Sequence, residues 1–157
     1  SPGEFPEDPE KYAHSILLHN IQRFRGILGA KFFPSKANGA LARFDGRKTS
    51  LHFVDKALIA EPLINEYHKT SQAIDGFCNT HIFKAWTIAI SCSLFNGVGV
   101  YFDTKGNNGK PWPMLHLDLR PMPLIWYRHE GEYFYPHKSK TFFHDLQNLF
   151  MINRNWE

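Results

Sequence analysis

Between Met114 and Leu119 the chain reads MLHLDL, a histidine and an aspartate alternating with leucines. A β-strand sends successive side chains to opposite faces, so a period of two is a strand signal. His116 and Asp118 then share one face, extended by Met114 and Arg120, while Leu115, Leu117 and Leu119 share the other. Such a strand needs a packed core on its leucine side. Its other side suits either solvent or a site built on a sheet.

Helical segments can provide that core. Leu17, Ile21, Phe24 and Leu28 recur at helical spacing. They predict one amphipathic helix over Glu10–Leu28, with Asp8 as cap, Pro9 at its first position and Gly29 as its stop. Phe32 and Phe33 start a strand, followed by a loop rich in Gly, Pro and Asn up to Ser50. SLHFVD (Ser50–Asp55) reads as a short strand. Ala57–Asn65 reads as a short helix or part of an insertion, since Pro62 argues against a long helix. SQAIDGF (Ser71–Phe77) reads as a second short strand. Asn79 can cap a helix over Thr80–Phe95, which is apolar nearly all round and so expected to be buried. GVGVYF (Gly97–Phe102) is a strand, DTKGNNGKP a turn, and LIWYRHEGEYFYP a hairpin turning at Glu130-Gly131. Lys140–Asn153 forms a last helix with Phe143, Leu146, Leu149 and Phe150 on one face. The pattern predicts an α+β fold, a small and mostly antiparallel sheet flanked by helices.

The length of 157 residues suits one domain. Ser1–Phe5 reads as a cloning remnant, leaving residues 6–157 as a single domain. A formal charge of +3 with scattered Lys and Arg argues against nucleic acid as a partner. No apolar run reaches the roughly 20 residues of a membrane span. Cys78 and Cys92 are the only cysteines and form no CxxC, which argues against a thiolate zinc site. They can pair with each other or remain free and buried.

Among nine histidines, His14, His19, His68, His81, His129, His137 and His144 fall on helix surfaces, loops or turns and need no special role. His52, Asp75 and His116 differ, because each interrupts an apolar run and so needs a partner. Two histidines and a carboxylate form a common zinc-ligand set that leaves a position open for water. Zinc there lowers the pKa of the water and polarises a carbonyl. The plainer alternative is three unrelated polar residues, each hydrogen-bonded locally. No HExxH signature is present.

Ser50-Leu51-His52, Ala73-Ile74-Asp75 and His116-Leu117-Asp118, taken in order, resemble the Ser-x-His, Ala-x-Asp and His-x-Asp motifs of the zinc D-Ala-D-Ala carboxypeptidase family of murein peptidases. That family shares its fold with the hedgehog signalling domain and its type of metal site with lysostaphin-like enzymes. Arg43 precedes Ser50 as an arginine does in the family, GVGVYF resembles its glycine-rich strand, and Arg120 with Trp126 is similar to the ending of phage-type members. The resemblance spans about Ile21 to Tyr127. It departs from the family in two places. Direct family spacing after His52 would reach Ile59, which cannot bind zinc, so Val54–Ser71 is read as an insertion, with Asp55 or Glu61 as fallback carboxylates. Pro113 stands where some members carry an acid.

The resemblance implies a hedgehog/D-Ala-D-Ala peptidase-like fold with Zn2+ held by His52, Asp75 and His116. It implies that Asp118 is either the general base or the partner that orients His116, and that Arg43 binds a substrate carboxylate. Ser50 supports its loop by hydrogen bonding rather than acting as a nucleophile. Trp126 and Tyr127 either line a groove or pack in the core. The implied function is a zinc-dependent hydrolase, a carboxypeptidase or endopeptidase, cutting peptidoglycan stem or cross-link peptides at the bacterial cell wall or in the periplasm. The alternative is a non-catalytic binding or structural module with a degenerate metal site.

Overall fold

The computed structural model describes residues 8–59 and 70–153. Ser1–Phe5, Glu61, His68 and the later part of the Ala57–Asn65 segment lie outside the described residues. The elements run α1 (Pro9–Tyr12), α2 (Ser15–Leu28), β1 (Phe32–Pro34), α3 (Lys56–Ile59), β2 (Ala73–Cys78), α4 (Ile82–Ser91), β3 (Gly97–Tyr101), β4 (Met114–Asp118), β5 (Leu124–His129), β6 (Glu132–Phe134) and α5 (Phe142–Ile152). The fold is α+β, with six strands in the order β1-β2-β4-β3-β5-β6. Every neighbouring pair is antiparallel except β3 and β5.

The leucine side of β4 is the core side. Leu115 and Leu117 are fully buried together with Ile74, Val98 and Val100. Leu17, Phe24 and Leu28 of α2, Ala85 and Trp86 of α4, and Phe142, Leu146 and Phe150 of α5 cover them in one cluster. Burial of each large apolar side chain is worth about 1.5–3 kcal/mol, so this face fixes which way β4 points. His116 and Asp118 then lie on the opposite face.

Four expectations about elements are corrected. The single helix over Glu10–Leu28 is two helices, because the chain at Ala13 bridges to Ser71. The Ser71 N–H donates to the Tyr12 carbonyl at 2.6 Å, and the His14 N–H donates to the Ser71 carbonyl at 2.9 Å. His14 Nδ1 then accepts from the Ile16 N–H at 3.2 Å, capping α2. Ser50–Asp55 is not a strand but a turn with one bridge, Arg43 to Phe53. The helix expected over Thr80–Phe95 covers only Ile82–Ser91, capped by His81 rather than Asn79, and it exposes Phe83 and Ile90 instead of being buried all round. On α5, Phe142 takes the buried position expected of Phe143, which is exposed.

Other details follow the sequence. Gly29 ends α2 at φ 63°, with its N–H on the Arg25 carbonyl. The hairpin turns at Glu130 and Gly131, whose φ angles of 51° and 81° suit a two-residue turn. Both cysteines are free, and burial pushes the Cys78 thiol pKa up. Among the described residues, no helix is long and apolar enough to cross a membrane.

Candidate metal centre

The strand register places Asp75 of β2 directly opposite His116 of β4. On the other side of His116 stands Gly99 of β3, and beyond it Trp126 of β5. One row across the sheet therefore carries a carboxylate, an imidazole, a gap and an indole. The gap is required, because a Cβ at Gly99 would run into the Trp126 ring. The next row repeats the device, since a Cβ at Gly97 would overlap the Asp118 carboxylate. The two glycines of GVGVYF thus make room for the side chains that surround His116.

His52 arrives from the loop that continues past β1. The Asp75 N–H donates to the Ala40 carbonyl and the Ser35 N–H to the Asp75 carbonyl, which lays this loop along β2. Ser50 shapes the turn: its Oγ accepts from the His52 N–H at 3.3 Å and its carbonyl from the Phe53 N–H at 3.0 Å. The Arg43 N–H then donates to the His52 carbonyl at 2.7 Å.

The three donor atoms converge. His52 Nε2 lies 3.3 Å from His116 Nδ1 and 3.5 Å from Asp75 Oδ1, and the latter two atoms are 2.8 Å apart. Donors on a tetrahedral zinc with bonds of about 2.0–2.1 Å lie about 3.3 Å from one another, so this spacing suits a small divalent ion. All three residues are buried, and together they form a group that can hold a metal ion. Each histidine is oriented by its other nitrogen. His52 Nδ1 donates to the Leu41 carbonyl at 3.3 Å, leaving Nε2 for a metal. His116 Nε2 donates to Asp118 Oδ2 at 2.9 Å, leaving Nδ1.

Asp118 is fully buried on the far side of the His116 ring from the donors. Its Oδ1 accepts from both the backbone N–H and Nε of Arg120, at 3.0 and 2.9 Å. The Arg120 guanidinium also lies 4.5 Å over the Trp126 ring. Burial alone would raise the pKa of Asp118, but the hydrogen bonds from His116 and Arg120 hold it well below the usual carboxylate range. Asp75 behaves alike: burial opposes ionisation, and the charges and hydrogen bonds of His52 and His116 overcome it. Burial would lower the pKa of His116, yet its bonds to Asp118 and Asp75 push it up to about 9.

The centre lies at the floor of an open cleft of about 970 Å3. Arg43 lines it, exposed, with its side chain across Gly39, where φ is 81° and a Cβ would meet the arginine stem at 2.7 Å. Trp126 is buried and packs with Phe77, Tyr101 and Met114 on the cleft side of the sheet. Tyr127 points to the core side and stacks on Phe134 at 4.7 Å. Asp55 does not join the centre and caps the Ala57 N–H at 3.0 Å instead. Pro113 is buried. Arg128 and Tyr133 also line the cleft and were not singled out by the sequence, where they read as hairpin residues. Comparison of the chain with family models, with curated proteins and with solved structures returns no match.

Proposed function

We propose that this protein is a zinc-dependent peptidase of the murein D-Ala-D-Ala carboxypeptidase type, cutting peptidoglycan stem or cross-link peptides. The observation that carries the reading is the convergence of His52 Nε2, Asp75 Oδ1 and His116 Nδ1 at the floor of an arginine-lined cleft. These three residues would hold zinc, which when bound lowers the pKa of a coordinated water and polarises a carbonyl. Asp118 and the Leu41 carbonyl act on the two imidazoles, fixing tautomer and ring orientation, and Asp118 is a positioning residue in this reading. Arg43 offers its planar guanidinium to a substrate carboxylate at the cleft mouth. Trp126 walls the floor beside His116, with ring centroids 5.1 Å apart, and keeps water from that side of the ring.

A second reading, a metal-holding module that binds such peptides without cutting them, has its own support. Among the described residues, the only carboxylates lining the cleft are Asp75 and Asp118, and both are committed to the histidines. No third carboxylate stands ready there as a general base. Digestion of purified peptidoglycan by the zinc-supplemented protein, followed by mass spectrometry, separates the readings. The peptidase reading expects new stem-peptide or cross-link fragments, lost by at least about 100-fold in His116→Ala. Sedimentation of the protein with peptidoglycan, without new fragments, would favour the binding module.

A further inference from the structure

The cleft continues from the centre onto β5 and β6, where Arg128 stands in the row Met114–Tyr101–Arg128. Its Nε donates to Asp103 Oδ1 at 2.8 Å. Asp103 is itself fixed, since its Oδ2 accepts from the Gly131 N–H at 2.7 Å. The guanidinium lies 4.6 Å over the Tyr101 ring and 5.9 Å from the Tyr133 ring. Arg128 is thus clamped on one edge and walled by aromatic rings. An arginine held this way loses little side-chain freedom when a ligand arrives, and its planar fork matches a carboxylate.

The charge of the cleft points the same way. Arg43, Arg47, Arg120 and Arg128 line it, and among the described residues the only carboxylates in the lining are Asp75 and Asp118, with Asp103 paired to Arg128 from outside it. Arg120 is spent on Asp118, while Arg43 and Arg47 form no ion pair with a described residue. A metal would add positive charge, so the cleft selects anionic ligands. Arg43 and Arg47 come from the loop beside β2, whereas Arg128 lies on β5, two strands beyond β4. The centre lies between them.

We propose that Arg128, backed by Asp103 and flanked by Tyr101 and Tyr133, is a specificity-determining residue that reads a carboxylate on the ligand, on the opposite side of the metal centre from Arg43. The inference rests on the reading of the cleft as a peptide site. Two strand spacings of about 4.8 Å and two residue rises of about 3.3 Å separate His116 from Arg128, roughly 12 Å in all, which an extended peptide spans in about three to four residues. The ligand is therefore an acidic peptide whose recognised carboxylate lies about that far from the group at the centre.

The test uses acetylated, amidated Ala/Gly hexapeptides with a single Glu moved along the chain, each beside its Gln counterpart. Blocking the termini leaves the Glu side chain as the only carboxylate. Calorimetry on the zinc-treated protein is expected to show about tenfold tighter binding of one Glu peptide than of its Gln partner. That preference falls below about twofold in Arg128→Gln and survives in the surface control Lys84→Gln. Arg128→Lys keeps the charge but not the fork and provides the test if Arg128→Gln fails to fold; it is expected to lose most of the preference. Equal binding of every pair by the native protein, or a preference that survives both Arg128 variants, overturns the proposal. An intact preference with no digestion of purified peptidoglycan removes the peptidase reading and leaves this site standing, whereas digestion of peptidoglycan without any preference among the hexapeptides does the reverse.

Discussion

At His116 one ring serves two carboxylates, and this makes the metal-free protein sensitive to pH. The pKa of His116 is raised from 6.5 to about 9, so its stabilising contribution is fully present below pH 6.5 and is lost as pH rises through about 9. Asp75 and Asp118 are lowered from 3.8, so their contributions are present above that pH and are lost on further acidification. Thermal melts of the protein in chelator should give a plateau between about pH 4 and 6.5, with Tm falling on both sides. A Tm that climbs from pH 6.5 to 9 would contradict this assignment of charges. At this scale the sequence was informative about which residues are unusual. His52, Asp75 and His116 each interrupt an apolar run, and they meet. It was silent on how His52 is turned, because the orienting group is the Leu41 carbonyl, eleven residues away, and for His116 it left Asp118 open between general base and orienting partner, since the bonds that Asp118 makes to His116 and Arg120 show only in the structure.

The elements that carry these residues are legible in the sequence only in part, for a consistent reason. Strands with alternating patterns and helices with a clear apolar stripe are set by local periodicity, and β2, β3, β4 and α2 follow it. The break at Ala13 is set by backbone bonds with Ser71, distant in sequence, which no local pattern encodes, whereas the turn at Ser50–His52 is shaped by Ser50 itself and tied to the sheet by the Gln72 N–H on the Leu51 carbonyl. His14 and His81 act as helix caps through Nδ1, a role that Ser, Thr, Asp and Asn fill more often. The glycines of β3 are the clearest case of an element shaped by its neighbours. Gly99→Ala should force the Trp126 indole out of its place beside His116 and destabilise the protein by about 1–3 kcal/mol, the usual cost of overpacking. Denaturant unfolding with tryptophan fluorescence reads both effects. An unchanged midpoint and emission spectrum would mean that Trp126 does not lie over Gly99.

The whole molecule divides its sheet between two tasks. One face is packed under α2, α4 and α5, and the other carries the centre and an arginine-lined cleft. The α+β class and the mostly antiparallel sheet were legible from the order of patterns, whereas the parallel pairing of β3 with β5 was not, since it depends on where the chain goes after β4. The cleft was illegible as a shape, because its walls come from the loop before β2, from strands β2, β3 and β4, and from the β5–β6 hairpin. A metal at its floor would tie together three segments that are far apart in the chain: the turn at His52, β2 and β4. The most direct measurement is therefore the zinc content of the purified protein, beside that of Asp75→Ala, after dialysis against buffer containing zinc. A centre built on His52, Asp75 and His116 should hold about one zinc per chain, lost in the variant. No zinc in the native protein, or zinc retained in full by Asp75→Ala, would contradict it.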